Sequence, residues 1–74
     1  MIVYIVMQGD RYEGTDVVCA TLSEETALAK LKKIAECIKV NHWDPDSAII
    51  KWSEDCTFAG IGDEIVYIKE WELI

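Results

Sequence analysis

Histidine and cysteine carry the most direct chemistry in this chain, and their number and spacing favour structural roles. His42 is the only histidine, so the chain has no second one for a metal site or a proton relay. Cys19, Cys37 and Cys56 are odd in number and widely spaced, which fits neither a paired disulfide framework nor a C-x-x-C zinc or redox motif. A Cys–His nucleophile pair needs a third group to orient the histidine, and the spacing supplies none. We expect reduced thiols, no metal and no catalytic nucleophile.

Carboxylates are the most numerous groups that could do chemistry. Hydrolysis needs two carboxylates in different environments inside a cleft, and a chain of 74 residues with one helix has little room for one. A calcium loop is an alternative, because D-P-D-S places oxygen ligands at alternate positions, but the ligand spacing and final Glu of an EF-hand are missing. We therefore predict no enzyme and no cofactor. The paired acids remain candidates for a binding surface: Asp44, Asp46, Glu54, Asp55, Asp63, Glu64, Glu70 and Glu72.

One segment, from Ser23 to Val40, predicts an amphipathic helix. Ser23 is a good N-cap, because its hydroxyl can accept the free amide of Thr26. Asn41 is predicted to end the helix in a left-handed conformation. Apolar residues recur at spacings of three and four, so one stripe should face a core: Ala27, Leu28, Leu31, Ile34, Ala35 and Ile38.

The remaining apolar segments predict strands. The run at 2–7 is apolar on both faces and should be central in its sheet. A loop of about eight residues should join it to a strand at 16–22. Segment 48–52 favours a strand through its β-branched content, with a short helix from Asp44 as the alternative. Gly60 and Gly62 make 54–63 a long turn, and 64–73 is the last strand. In that strand one face should hold Ile65, Tyr67, Trp71 and Leu73, and the other Val66 and Ile68.

These elements predict an α+β fold in a single domain, 1–74. The order β-β-α-β-β gives one antiparallel-type sheet of about four strands, covered on one face by one helix. One helix covers only one face, so aromatic residues should remain on the open one. Large exposed apolar patches usually mark interfaces. The predicted face for a homodimer consists of Tyr4, Trp52, Tyr67 and Trp71.

The charge of the chain is unevenly distributed. The formal net charge is −7, yet the helical segment holds four of the seven basic residues and only three of the 14 acids. Everything else therefore carries three basic residues and eleven acids. This balance argues against direct binding of nucleic acid or of an anionic membrane. The apolar start of the chain is also far shorter than the roughly 20 residues of a membrane span, so we expect a cytoplasmic protein.

Four stretches resemble small phage and prophage-encoded β-β-α-β proteins. They are VYIV at 3–6, DVVCATLS at 16–23, EETALAKL at 24–31 and IKEWELI at 68–74, roughly 40% of the chain. The resemblance implies a compact β-β-α-β domain in a bacterial host cell and brings no catalytic residues. The segment 43–63 departs from the shorter members of the pattern.

The acidic surface and the phage resemblance lead to a functional hypothesis. The chain is expected to bind a host protein stoichiometrically and to inhibit a nucleic-acid-binding or defence complex of the CRISPR or restriction type. Its negative surface would imitate DNA toward a basic partner. The alternative is an assembly module that homodimerises through its aromatic sheet face, with the charge serving only solubility.

Overall fold

The computed structural model describes residues 1–44, 46 and 48–72. In this part of the chain, one helix packs on a five-stranded antiparallel sheet of order β2-β1-β5-β4-β3. The α+β class is confirmed, and the sheet has one strand more than predicted. In chain order the elements are β1 (Ile2–Asp10), β2 (Gly14–Thr21), α1 (Glu24–Val40), β3 (Lys51–Trp52), β4 (Phe58–Ile61) and β5 (Glu64–Glu72).

β1 and β5 form the centre of the sheet. They pair along their whole length, from Ile2 opposite Glu72 to Asp10 opposite Glu64. The central position of β1 agrees with the prediction from its continuous apolar run at 2–7. Strand β1 is longer than predicted and continues through Asp10.

The connection between β1 and β2 is a tight turn and not the predicted loop of about eight residues. Only residues 11–13 separate the strands, and Gly14 adopts a φ of 96° that other residues rarely reach. The backbone amide of Tyr12 donates a hydrogen bond of 2.7 Å to the Asp10 carboxylate. The polar residues and glycines on either side of the turn extend the two strands, because residues 8–10 pair with residues 14–16.

Residues 54–63 do not form the single long turn that their glycines predict. Phe58–Ile61 is strand β4, and only Gly62 and Asp63 separate it from β5. Gly62 has a φ of 61°, whereas Gly60 lies in the strand opposite Ile65. The strand predicted at 48–52 is reduced to Lys51 and Trp52.

The helix agrees closely with its prediction. The Ser23 hydroxyl accepts the Thr26 amide at 3.2 Å, which confirms the N-cap. Asn41 has a φ of −90°, so the predicted left-handed terminator is wrong. The backbone amide and the side-chain amide of Asn41 instead both donate to the Cys37 carbonyl, each at 3.0 Å.

The core lies between α1 and one face of the sheet. Two of the four helical residues in it are alanines, Ala27 and Ala35, which lets the helix lie close to the strands. In the described part of the chain the buried apolar residues are Val6, Ala27, Leu31, Ala35, Ile38, Ala48, Ala59, Ile61 and Val66.

Candidate functional site: two carboxylate ends and an open sheet face

The strand registers assign each side chain of the sheet to one of two sides. Val6 and Val66 are fully buried in the core, so they and their cross-strand neighbours point toward α1. Residues at alternate positions, such as Ile5 and Tyr67, point away from the helix. The predicted two faces of the last strand are thus confirmed for residues 65–71, and Leu73 lies outside the described residues.

The side of the sheet that faces away from α1, here called the open face, is mostly apolar. Trp71 and Val17 are 53% and 61% exposed there. The other apolar side chains of this face are half-buried, because they pack beside one another on the sheet. No element of the described chain covers them. The aliphatic and aromatic residues of the open face are Val3, Ile5, Met7, Val17, Phe58, Ile65, Tyr67 and Trp71.

The aromatic side chains on the open face are held in defined positions. The rings of Phe58 and Tyr67 stack with centroids 6.3 Å apart and planes at 20°. The hydroxyls of Tyr67 and Thr15 lie 3.0 Å apart and share a hydrogen bond. The Lys69 ammonium lies 5.4 Å from the centre of the Trp71 ring, within the range of a cation–π contact. The face is therefore an ordered surface.

The charged side chains that the described strands and the β1–β2 turn place on the open face are cations. Lys51 and Lys69 project from it by register, and the Arg11 guanidinium lies close above Gly60. No described strand position on this face is Asp or Glu. An unbiased distribution of 14 acids would be expected to place some of them here.

Carboxylates instead gather at one end of the sheet, on the side that α1 covers. Asp10 pairs directly with Glu64, while Asp16 pairs with Gln8 one strand away. With Glu13 they line a shallow groove of about 450 Å³, here called the carboxylate groove, which as described has no Lys or Arg in its lining. The strand ladder therefore fixes three carboxylates and the turn adds a fourth.

A second acidic group lies at the opposite end of β5, where α1 begins. The Tyr4 hydroxyl donates to Glu24 at 3.4 Å. Partial burial, and then the carboxylates of Glu24 and Glu70, raise the pKa of the Tyr4 phenol. Both carboxylates are thus close to one hydroxyl. Glu70 and Glu72 lie on the same side of the strand.

The eight predicted acids are distributed over both ends and the loops between them. Glu64 and Glu72 are eight residues apart on one strand, which at about 3.3 Å per residue separates them by roughly 26 Å. Asp63 lies beside Glu64 in the β4–β5 turn. Glu54 and Asp55 occupy the β3–β4 turn, and Asp44 and Asp46 follow the helix. The structure brings them together in pairs, not in one row.

Three further acids of the carboxylate groove were not singled out from the sequence: Asp10, Glu13 and Asp16. Asp10 and Glu13 lie inside the segment that the sequence predicts to be a loop, and the pairing of Asp10 with Glu64 depends on the strand register. Asp16 is the first residue of the strand predicted at 16–22, but the side of the sheet to which it points depends on the bulge between Val6 and Met7, which the sequence does not indicate.

The four aromatic residues predicted for a dimer face divide between the two sides. Tyr67 and Trp71 lie on the open face. Tyr4 packs against the core on the helix side, and Trp52 pairs with the buried Ala59 on that side too. The predicted dimer face is therefore wrong for Tyr4 and Trp52, because their side chains point to the opposite side of the sheet from those of Tyr67 and Trp71.

A second groove of about 690 Å³ runs between the C-terminal half of α1 and the β4–β5 turn. Lys30 and Lys33 line it on the helix, and Asp63 and Glu64 line it on the sheet. Trp43 lies at its border and is 88% exposed. The mixed charges and apolar patches of this groove do not select one ligand class.

Other chemistry is sparse in the part of the chain that the structure describes. All three cysteines are free. No three His, Cys, Asp or Glu side chains among residues 1–44, 46 and 48–72 are arranged to hold a metal ion. Within the same residues, α1 is neither long nor apolar enough to cross a membrane.

Comparison with protein-family models, with curated proteins and with solved structures gives no match to this chain.

Proposed function

We propose that this chain acts by stoichiometric binding to another protein, and that the carboxylate groove is its contact surface. The proposed partner is a basic, nucleic-acid-binding protein of a bacterial host, such as part of a CRISPR or restriction complex. The chain would act in the cytoplasm of that host as a phage or prophage-type inhibitor. The observation that carries the proposal is the set of four carboxylates in a groove lining without basic residues.

The arrangement suits the recognition of a cationic surface. Asp10, Asp16 and Glu64 project from three paired strands, so their positions are fixed before binding. Charges of one sign in a concave site concentrate the electrostatic field and accelerate association with a partner of the opposite sign. Such a site would compete with DNA phosphates for the same lysines and arginines.

The proposal is tested by capture from bacterial lysate with the immobilised chain at low salt. We expect a nucleic-acid-binding protein to be retained and to be released by added duplex DNA. The triple variant Asp10→Asn, Asp16→Asn, Glu64→Gln should lower capture by roughly tenfold or more, about 1.4 kcal/mol. These isosteric changes keep the acceptor that the Tyr12 amide uses on Asp10.

A matched control removes the same number of charges elsewhere. In Glu54→Gln, Glu70→Gln, Glu72→Gln, three exposed carboxylates outside the groove are neutralised. We expect this control to retain capture. Equal loss in both triple variants would mean that only bulk charge matters, and captured proteins that DNA does not release would contradict the proposed mechanism.

A further inference from the structure

We infer that the open face is the contact surface between two copies of this chain, which form a symmetric sheet-on-sheet dimer. This assignment goes beyond the proposed function, because it concerns a different surface. Its basis is the set of eight apolar side chains on one side of the sheet, with no described element over them. The largest exposed apolar patch of a soluble protein, typically about 300–600 Å², is often a functional contact surface.

The size of the open face is close to what a stable dimer needs. Its four strands β1, β2, β4 and β5 contain nine, eight, four and nine residues. With strands about 4.8 Å apart and a rise of about 3.3 Å per residue, the flat area is roughly 480 Å² per copy. Two copies then bury roughly 950 Å² of flat area, to which protruding side chains add, so the contact comes near the size of about 1,000 Å² expected of a specific interface.

The distribution of charge favours a second copy as the occupant. A chain of net charge −7 repels itself unless its acids are kept out of the contact. The strand carboxylates Asp10, Asp16, Glu64, Glu70 and Glu72 all point to the helix side, so two packed open faces keep them on the outside of the dimer.

The open face also carries three cations, Arg11, Lys51 and Lys69. Their side chains are exposed and are long enough for the charged ends to reach water at the border of the contact.

The aromatic contacts prepare the face for packing. The Tyr67 phenol is already hydrogen-bonded to Thr15, and the Tyr67 ring lies nearly parallel to that of Phe58. The Tyr67 hydroxyl therefore already has a partner, and the two rings already have fixed orientations, before a second copy binds. Packed sheets of this kind lie about 10 Å apart with interdigitating side chains.

Sedimentation velocity of the purified chain over a wide concentration range tests the inference. We expect a dimer that persists in 1 M NaCl, since apolar burial drives it. Val17→Glu and Trp71→Glu place a carboxylate on the open face and should raise the dimer Kd by roughly 100-fold or more.

The matched control is Val40→Glu, the same substitution at a residue of α1 that is 70% exposed. It should leave the dimer Kd unchanged. Circular dichroism of each variant should retain the wild-type spectrum, which separates loss of dimer from loss of fold. A wild-type monomer at all concentrations, or equal effects of Val17→Glu and Val40→Glu, would overturn the inference.

These measurements need no partner protein. Failure of the dimer therefore leaves the carboxylate groove proposal in place, and failure of lysate capture leaves the dimer in place.

Discussion

The hydroxyls of Tyr67 and Thr15 are hydrogen-bonded at 3.0 Å although their strands, β5 and β2, are separated by β1. The phenol reaches over the intervening strand beside Gly9, which pairs directly with Thr15 and has no side chain to fill the space. Three strands are thus joined by one side-chain contact on the open face.

Tyr67→Phe should remove this contact and lower the free energy of unfolding by about 0.5–1 kcal/mol, because a part-buried hydrogen bond has a modest net value. Urea unfolding at fixed chain concentration measures the change. In a double-mutant cycle with Thr15→Val, the coupling should account for most of the loss. Tyr12→Phe, the same change at a tyrosine that is 81% exposed, should have no measurable effect. An equal loss of unfolding free energy in Tyr67→Phe and Tyr12→Phe would contradict a stabilising hydrogen bond between Tyr67 and Thr15.

Gly9 is required by close backbone approach. A Cβ at this position would lie 2.2 Å from the Gly14 carbonyl oxygen and 2.6 Å from the Thr15 Cα. Both are backbone atoms that cannot move without separating the strands, so Gly9→Ala should cost about 2–3 kcal/mol of stability.

Gly60→Ala is the control for that prediction. A Cβ there would meet the end of the flexible Arg11 side chain at 3.2 Å, which can shift by a few tenths of an ångström. We expect its free energy of unfolding to stay within about 0.5 kcal/mol of wild type. Urea titrations of both variants measure the contrast, and a similar cost at the two glycines would show that the close approach at Gly9 is relieved.

The helix and the central strands could be predicted from the sequence because each is determined by local chemistry. Ser23 offers a capping hydroxyl, the stripe through Leu31 has the helical period, and the start of β1 is continuously apolar. The odd and even faces of β5 likewise follow from the strand period, so Tyr67 and Trp71 were placed together correctly.

The turns could not be predicted because glycine has two uses. Gly62 has positive φ and ends a strand, whereas Gly60 is extended and lies within β4. Composition does not distinguish them. The same ambiguity hid Asp10 and Asp16, and with them the carboxylate groove, because their location depends on the pairing of β1 with two neighbours.

Cys56 is the one non-glycine residue with positive φ among those described, at 61°. A Cβ in this left-handed conformation is unfavourable by about 1–2 kcal/mol, partly offset by the greater freedom of glycine in the unfolded chain. Cys56→Gly should therefore be more stable than Cys56→Ala by about 1 kcal/mol. The alanine variant is the control, because it removes the exposed thiol but keeps the Cβ. Thermal unfolding under reducing conditions measures both, and an alanine variant as stable as the glycine variant would contradict the prediction.

Asp55 organises the same turn through its carboxylate. The Oδ1 atom accepts hydrogen bonds from the Thr57 hydroxyl at 2.7 Å, the Ser53 hydroxyl at 2.9 Å and the Thr57 amide at 3.2 Å. These donors, first the Thr57 hydroxyl and then that of Ser53, lower the pKa of Asp55 below its usual value of 3.8. The folded chain therefore holds the charged form more strongly than the unfolded chain does.

The sign of the pH dependence follows from this difference. Because the folded pKa is the lower one, the stabilisation by Asp55 is complete above the unfolded pKa and is lost as the pH falls through the folded pKa. Asp55→Asn should lower the Tm at pH 7, and the gap to wild type should shrink below a pH of about 4. Glu54→Gln, a neighbouring change of the same charge, should show no such narrowing. Thermal melts from pH 7 to pH 3 measure the gap, and a gap that is constant over that range would contradict the role of the carboxylate in this turn.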